Sequence, residues 1–270
     1  MVDRSGKMIT SLPQSAFKVL ENGVEQQIRF FRREDVPVSM GLIIDNSGSM
    51  RDKRSRVNAA ALTLVKESNP QDEVFIFNFN DDTYLDQEFT NDIKKLQDAL
   101  DKIDSRGGTA MRNAVSLGID YEKEKAKKDK RVLLIVTDGN DTASAETTLE
   151  QLVTKAQRSE VLIYSIGLLD KEEPREARAA KRALKALADA SGGLDYYPKD
   201  LSEVEALTPE IAHEIRNQYI IEYAPANQVL DGSFRQIKVV VAGARGATVR
   251  TRNGYYATVT PTRGNTPGKK

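Results

Sequence analysis

Three polar turns in this sequence carry side chains that could bind a divalent cation. The first turn has oxygen-bearing side chains at alternate positions, Asp45, Ser47 and Ser49, directly after a run of apolar residues. Mg²⁺ prefers oxygen ligands at about 2.1 Å in octahedral geometry, and a tight loop with this spacing can turn a carboxylate and two hydroxyls toward one point. The same residue types also form ordinary strand-to-helix turns and helix N-caps. The first turn alone therefore leaves both interpretations open.

Two later turns favour the cation site. Residues 105–110 (SRGGTA) contain a glycine pair that lets the backbone approach a ligand closely, and Thr109 either caps the next helix or offers its hydroxyl to a cation. Residues 136–139 (VTDG) end another apolar run with Asp138. Because ligands of open α/β sheets bind at the carboxyl edge of the strands, we expect these turns to meet Asp45 there.

The segments between these turns predict an α/β fold. Apolar runs of similar length predict buried strands near residues 36–45, 73–79, 131–138 and 160–168. Apolar residues at three- and four-residue spacing predict helices over residues 53–67, 92–103, 110–127, 147–159, 174–191 and 201–217. Residues 83–90 follow a strand too closely for a helical crossover and predict an antiparallel edge strand. We therefore predict a doubly wound, mostly parallel sheet with helices on both faces.

Both ends of the chain are rich in β-prone residues. Residues 17–32 predict a hairpin that turns at Asn22-Gly23, and Asp231-Gly232 and Asn253-Gly254 predict turns after Asn217. We expect the two ends to pair as a small β-rich appendage, because neither has enough strands to be stable alone. The predicted organisation is an amino-terminal hairpin segment, an α/β domain, a carboxyl-terminal β segment and a disordered tail, over residues 1–35, 36–217, 218–260 and 261–270.

Composition excludes several functional classes. Lys and Arg together number 40, as do Asp and Glu, so no net charge favours nucleic acid or an anionic membrane. Residues 122–131 alternate Lys with Glu and Asp, which predicts the solvated end of a helix. Cysteine is absent, which removes disulfides and thiolate zinc sites. No apolar run approaches the roughly 20 residues of a membrane span, and residues 1–12 lack the apolar core of a signal peptide, so we expect a soluble chain without direct membrane insertion.

Catalytic motifs are also missing. The only histidine, His213, lies in a helical segment far along the chain from the aspartate turns, so a catalytic triad is poorly supported and His213 is expected to be a surface or packing residue. A phosphatase of the haloacid dehalogenase type needs a second acid where this chain has Ser47. No G-x-x-x-x-G-K-[ST] motif is present. We therefore predict that the protein is not an enzyme.

Together, the three turns resemble the metal-ion-dependent adhesion site of von Willebrand factor type A domains, and the resemblance covers about Val36 to Asn217. It implies a doubly wound fold and one cation, Mg²⁺ with Mn²⁺ or Ca²⁺ as alternatives, whose ligands are Asp45, Ser47, Ser49, Thr109 and Asp138. The amino-terminal hairpin and the closing R-x-G-Y-Y segment are similar to an extended bacterial subfamily of such proteins; this segment comprises Arg252, Gly254, Tyr255 and Tyr256.

The resemblance also implies a function in protein recognition or adhesion, in which the cation accepts an acidic residue of a protein partner. The helix at 201–217 would then shift when affinity changes. Candidate partner contacts are the loop residues Asn46, Met50, Arg51, Arg106, Asn140 and Asp141. The alternative is an intracellular assembly or chaperone subunit for an ATPase partner. The β-rich carboxyl-terminal segment favours an extracytoplasmic protein, secreted or at the cell surface.

Overall fold

Strands and helices alternate through the middle of the chain in the computed structural model, which describes residues 1–2, 9–33, 36–102, 105–170, 172–243 and 246–258. In chain order the elements are β1 Phe17–Glu21, β2 Val24–Gln26, β3 Ile28–Arg32, β4 Val38–Asp45, α1 Arg54–Glu67, β5 Glu73–Phe79, β6 Thr83–Thr90, α2 Ile93–Asp101, α3 Met111–Lys125, β7 Lys130–Thr137, α4 Leu149–Arg158, β8 Val161–Gly167, α5 Pro174–Ser191, β9 Asp195–Tyr196, α6 Leu201–Arg216, β10 Ile220–Tyr223, β11 Phe234–Val241 and β12 Gly254–Tyr256. The six helices begin and end within two residues of the predicted bounds.

The central sheet has six strands in the order β6-β5-β4-β7-β8-β9. All neighbouring strands run parallel except β6, which pairs antiparallel with β5. Every residue of β4 and β5 is buried, as expected for strands that are covered on both faces. The predicted doubly wound fold with one antiparallel edge strand is therefore confirmed.

Helices cover both faces of this sheet because successive side chains on a strand point to opposite faces. Leu42 and Ile44 of β4 pack in one apolar cluster with α1, α2 and α6. Ile43, between them, packs in a second cluster with α3, α4 and α5. None of the helices in the described part of the chain is long and apolar enough to cross a membrane.

The amino-terminal end of the run 122–131 differs from the prediction. Glu122 has no exposed surface and Ala126 is also buried, whereas Lys123, Glu124 and Lys125 are exposed. The reason is helical spacing: residues 122 and 126 continue the three- and four-residue rhythm of the buried face of α3. The expectation of a fully solvated helix end is therefore wrong at Glu122.

The two-residue strand β9 extends the parallel sheet beyond β8 and was not predicted. Gly192 ends α5 in the left-handed conformation at φ 88°. A Cβ atom on Gly193 would lie 2.0 Å from the Ile163 carbonyl oxygen, so only glycine lets the chain pass this close to β8. A strand of two residues is too short to leave a periodic pattern in the sequence.

The two ends of the chain form a four-stranded sheet in the order β12-β11-β1-β2. Asn22 and Gly23 connect β1 to β2 with φ values of 48° and 83°, the positive values that the predicted type I′ turn requires. β1 pairs antiparallel with β11 along its whole length, which confirms the β-rich appendage from both termini. β3 does not continue this hairpin but pairs with β10 in a separate two-stranded sheet.

A buried ion pair joins the strands of this appendage. Glu21 and Arg235 are both almost fully buried, and the Arg235 guanidinium lies 3.3 Å from Glu21 Oε1. The hydroxyls of Tyr223 and Tyr255 donate to Glu21 Oε2 at 2.8 and 2.9 Å. One carboxylate on β1 thus collects donors from β10, β11 and β12, which satisfies its charge away from water.

One of the two predicted carboxyl-terminal turns is confirmed. Gly232 has φ 74°, and Asp231 Oδ1 accepts a hydrogen bond from the Ser233 amide at 2.9 Å. The turn predicted at Asn253-Gly254 is wrong, because Gly254 begins β12, where a Cβ atom would lie 2.4 Å from the Arg235 carbonyl oxygen. The disordered tail expected at 261–270 lies outside the described residues.

Candidate metal centre

The central sheet brings Asp45 and Asp138 to its carboxyl edge. β4 and β7 are neighbours, and their parallel register pairs Ile44 with Val136, one and two residues before the two aspartates. The chain leaves β4 toward β5 and leaves β7 toward β8, on opposite sides of this pair. Ligands of open α/β sheets bind at such a reversal of strand order. The first and third polar turns therefore meet.

Asp45 is fully buried, and both of its carboxylate oxygens accept hydrogen bonds. Oδ1 accepts from the Ser47 amide at 2.8 Å, and Oδ2 accepts from the Thr137 hydroxyl at 2.6 Å. Burial raises the pKa of Asp45 to about 6; the hydrogen bonds from Thr137 and Ser47 oppose this shift, and the charge of Asp138 adds to it. These donors fix the orientation of the carboxylate and favour its charged form.

Two serine hydroxyls connect the Asp45 loop to Asp138. The hydroxyl oxygens of Ser47 and Ser49 lie 3.0 Å apart, and Ser49 donates to Asp138 Oδ1 at 2.8 Å. Asp138, like Asp45, has no exposed surface. We call the side-chain oxygens of Asp45, Ser47, Ser49 and Asp138 the oxygen row.

The oxygen row fits a small divalent cation by its spacing and its chemistry. Neighbouring ligands in an octahedron with bonds of about 2.1 Å lie roughly 3.0 Å apart, which is close to the 3.0 and 2.8 Å that separate Ser49 Oγ from Ser47 Oγ and from Asp138 Oδ1. Carboxylates and hydroxyls are the hard donors that Mg²⁺ selects. Within the described ranges no group of three or more His, Cys, Asp or Glu side chains could hold a metal ion. Any cation at this edge would therefore need the hydroxyls as well as the two aspartates.

The glycine turn lies against the Asp45 loop. The Gly48 amide donates to the Gly107 carbonyl at 3.1 Å, and the Arg106 amide donates to the Asn46 carbonyl at 2.9 Å. These two backbone hydrogen bonds fix the second polar turn beside the first. Thr109, at the end of this turn, is nearly buried at 6% exposure.

Thr109 does not cap the following helix. Ala110 occupies the N-cap of α3, and the amides of Arg112 and Asn113 are capped by Asp141 Oδ2 and Ser144 Oγ, at 2.7 and 3.1 Å. Among the described residues the Thr109 hydroxyl forms no hydrogen bond with the oxygen row or with any other group. Of the two roles that the sequence left open for Thr109, capping is excluded and ligand binding stays a prediction.

Two basic residues at the site were not predicted. Lys53 Nζ lies 2.7 Å from Asp138 Oδ2, and only 12% of its side chain is exposed. Arg54 is buried and donates to the side-chain carbonyls of Asn46 and Asn78. Burial lowers the pKa of Arg54, and the charges of Asp86 and Asp45 act in the opposite direction. Lys53 and Arg54 directly follow the D-x-S-x-S turn, and this position is the sequence feature that could have indicated a role at the site.

A third unpredicted group is Glu172, in the segment before α5. Its Oε1 lies 3.8 Å from the position that a Cβ atom on Gly139 would take, next to Asp138. Burial and the negative charge of Asp138 raise the pKa of Glu172, and the positive charge of Lys53 lowers it. The site therefore contains a partly exposed carboxylate beside the two buried ones.

Two of the predicted partner contacts are wrong because the structure buries them. Residues Gly48–Met50 form a 3-10 turn that places Met50 in the apolar cluster under α1, with no exposed surface. Asn46 is 4% exposed and binds Arg54 and Ser105. The α-helix that follows begins at Arg54, after this turn.

The remaining candidate contacts differ in side-chain exposure and in whether they already bind another residue of the chain. Asp141 forms an ion pair with Arg112, and its side chain is 5% exposed. Asn140 donates to Glu176 Oε2 at 2.8 Å. Arg51 and Arg106 are exposed, although Arg51 also donates to the Ser105 carbonyl at 3.3 Å. Arg51 and Arg106 therefore stay as predicted contacts that a partner can reach.

Comparison with known proteins finds a family match for part of the chain. Residues 40–140 match the family model described as von Willebrand factor type A domain. The uncharacterized protein sll0103 of Synechocystis sp. (strain ATCC 27184 / PCC 6803 / Kazusa) is 26% identical over 167 residues, which cover 60% of this chain and 38% of that protein. The chain thus spans less than two fifths of the length of this relative.

Solved structures share the fold at low sequence identity. The von Willebrand factor domain of the type V pili tip protein Mfa5 from Porphyromonas gingivalis aligns with a TM-score of 0.57 at 13% identity, covering 67% of this chain and 95% of that chain. The PilB minor pilin from Streptococcus sanguinis aligns with a TM-score of 0.56 at 10% identity, covering 67% and 62%. The sheet order, the converging turns and the family match agree. Over residues 40–140 the chain therefore matches the von Willebrand factor type A domain, and it shares the fold of the solved domains.

Proposed function

We propose that the carboxyl edge of the sheet binds one divalent cation and uses it to recognise an acidic residue of a protein partner. Mg²⁺ is the expected ion, with Mn²⁺ or Ca²⁺ as alternatives. The observation that carries the proposal is the oxygen row, in which the Ser47 and Ser49 hydroxyls, 3.0 Å apart, link the loop of the buried Asp45 to the buried Asp138, whose Oδ1 accepts from Ser49 at 2.8 Å. Buried carboxylates at a sheet edge are costly unless they bind cations or strong donors.

Each residue of the site has a defined task in this proposal. Asp45 and Asp138 supply the negative charge, Ser47 and Ser49 supply neutral oxygens, and Thr109 offers its hydroxyl from the second turn. Two carboxylates only balance a charge of 2+, so a bound cation keeps enough affinity for one more anionic oxygen from outside. The exposed guanidinium groups of Arg51 and Arg106 would favour the approach of an acidic partner.

Recognition is a better fit than catalysis. His213, the only histidine of the chain, is exposed on α6, and no hydrogen bond among the described residues joins it to the site. Among the described residues no histidine forms a hydrogen bond with the Ser47 or Ser49 hydroxyl, which is the pairing that a Ser-His nucleophile requires. The pilus tip protein and the minor pilin are cell-surface relatives in fold, which supports an adhesive, extracytoplasmic role. The alternative, an assembly subunit for an ATPase partner, stays a prediction.

Calorimetric titration with Mn²⁺ tests cation binding. We expect one site per chain and at least a hundredfold weaker binding in Asp45→Asn, with a smaller loss in Ser49→Ala, which keeps both carboxylates. Asp120→Asn is the matched control, because its side chain is 58% exposed and pairs with Lys155 away from the site. Unchanged binding in both site variants, with circular dichroism confirming their fold, would refute the proposed site.

A carboxylate probe tests the recognition step separately. Mn²⁺ bound with an open coordination position relaxes the protons of exchanging water, and an added carboxylate displaces that water. We therefore expect acetate to lower the water-proton relaxation of the Mn²⁺ complex, whereas the same concentration of chloride should not. If acetate does not change the water-proton relaxation of the Mn²⁺ complex, the bound cation has no open coordination position for an acidic partner.

A further inference from the structure

Lys53 forms an ion pair that is nearly buried, as the Glu21–Arg235 pair of the appendage is. Its ammonium group lies 2.7 Å from Asp138 Oδ2, with 12% of the lysine side chain exposed and none of the aspartate. By contrast, the pairs Lys18–Glu25 and Lys185–Asp189 have more than half of each side chain exposed. Exposed pairs contribute little to stability, but a nearly buried ammonium needs a carboxylate. Asp138 is therefore the reason that Lys53 points inward.

The position of Lys53 is explained by the two buried aspartates. Asp45 and Asp138 are the two buried carboxylates of the oxygen row, and their interacting like charges destabilise each other unless a cation intervenes. Arg54 supplies one positive charge but is held by Asn46 and Asn78, and no hydrogen bond joins it to an aspartate of the row. The Lys53 ammonium is the cation that touches the row directly.

The backbone of Lys53 is fixed, while its side chain can move. Its amide donates to the Met50 carbonyl at 2.9 Å, and its carbonyl accepts from the Val57 amide at 3.1 Å at the start of α1. The four-carbon side chain retains its rotatable bonds. Glu172 lies beside Gly139 at the same edge and offers the ammonium a second carboxylate nearer to solvent.

We propose that Lys53 is a built-in competitor of the divalent cation, so that cation binding must displace its ammonium from Asp138 toward the rim of the site. This inference rests on the proposed function. Both cations need the charge of Asp138, and two positive charges around one buried carboxylate repel each other strongly. The displaced ammonium would then stand at the rim, where an acidic partner approaches.

Lys53→Met tests the competition because it removes the charge and keeps an unbranched side chain. We expect Mn²⁺ to bind about tenfold tighter or more, since the repulsion is gone. In chelator, the same variant should unfold at a lower temperature than the natural protein, because the aspartates have lost their counter-ion. Saturating Mn²⁺ should abolish this difference in unfolding temperature. If the role of Lys53 is purely structural, the difference should remain.

Two controls separate charge at this position from charge in general. Arg56→Met removes a positive charge from an exposed position on α1, and it should change Mn²⁺ affinity less than threefold. Lys53→Arg keeps the charge and should bind Mn²⁺ about as the natural protein does.

The results distinguish this inference from the proposed function. Unchanged or weaker Mn²⁺ binding in Lys53→Met, or equal tightening in Arg56→Met, overturns the competition while one-site binding in the natural protein still stands. No binding in either the natural protein or Lys53→Met overturns both. Binding that appears only in Lys53→Met supports competition in its strongest form.

Discussion

Carboxyl groups are buried at both ends of the central strands, but those at the carboxyl edge and Glu122 at the other end differ in their hydrogen-bond partners. At the carboxyl edge, both oxygens of Asp45 and both oxygens of Asp138 accept hydrogen bonds or an ion pair. Near the opposite edge, Glu122 is fully buried, and neither of its carboxyl oxygens has a partner within the described residues. Its neighbour Glu73 takes the available donors, Ser39 Oγ at 2.6 Å and the Lys127 amide at 2.7 Å.

The difference shows what converts a buried acid into a ligand. Burial raises the pKa of Glu122 to about 9, with the charge of Arg131 acting against burial, so this group holds its proton at neutral pH. Burial raises the pKa of Asp45 only to about 6, because Thr137 and Ser47 donate to the charged form. Residues of the first and third polar turns, together with Lys53, therefore supply the donors and the cation that bind the carboxylates at the carboxyl edge, whereas nothing within the described residues donates to Glu122.

The largest expected effect is on stability, through Glu122. The pKa of this group is about 9 in the folded chain against 4.5 for an ordinary glutamate, so the folded state keeps a proton that the unfolded state releases. Stability is therefore lost as the pH rises from about 5, by about 4 kcal/mol between pH 5 and pH 8 from this group alone. Glu122→Gln should remove this slope in urea unfolding curves that are measured across that range.

Glu124→Gln is the matched control for this comparison, because its carboxylate lies on the same helix with 70% of its side chain exposed. It should leave the pH slope unchanged. A natural protein whose stability is flat over this range would mean that Glu122 is ionised after all, and the contrast between the two edges would fail.

A second effect is expected on cation affinity at the carboxyl edge. Asp138→Asn removes one of the two charges of the oxygen row and leaves Lys53 without its carboxylate. We expect Mn²⁺ binding to weaken about a hundredfold, which corresponds to about 3 kcal/mol. Glu122→Gln, at the other edge, should bind Mn²⁺ normally. Equal losses in both variants would show that the effect is general destabilisation.

Thr109→Ala should have the smallest effect. The hydroxyl carries no charge and forms no hydrogen bond with the oxygen row among the described residues, so we expect Mn²⁺ binding to weaken by about threefold to tenfold, roughly 1 kcal/mol. Thr142→Ala is a suitable comparison, since the Thr142 hydroxyl accepts from the Thr109 amide at 3.2 Å and holds the backbone only. A larger loss in Thr142→Ala than in Thr109→Ala would assign the second turn a purely structural role.

Most of the fold follows from local patterns in the sequence. Continuous apolar runs predict β4, β5, β7 and β8, and regular helical spacing predicts all six helices, because a doubly wound sheet repeats one strand-helix unit. The D-x-S-x-S turn, the glycine turn and Asp138 could be located because a parallel sheet collects the ends of its strands at one edge.

What the sequence does not reveal depends on contacts between distant segments. Met50 and Asn46 belong to a polar loop by composition, but the 3-10 turn at Gly48–Met50 rotates Met50 into the core. From the sequence, Lys53 has the pattern of an ordinary exposed lysine at the start of a helix. Its side chain is nearly buried because it forms an ion pair with Asp138, which lies far along the chain. Glu122 lies in a charged run whose spacing, not its composition, decides its burial.

The most direct test of the account is a crystal of the protein grown with Mn²⁺ and measured for anomalous scattering at the manganese edge. The account predicts one strong peak per chain, in contact with oxygens of Asp45, Ser47, Ser49 and Asp138, with the Lys53 ammonium moved away from Asp138. A peak elsewhere, or none at this edge in a well-ordered crystal at saturating Mn²⁺, would contradict the claim that these turns form a cation site.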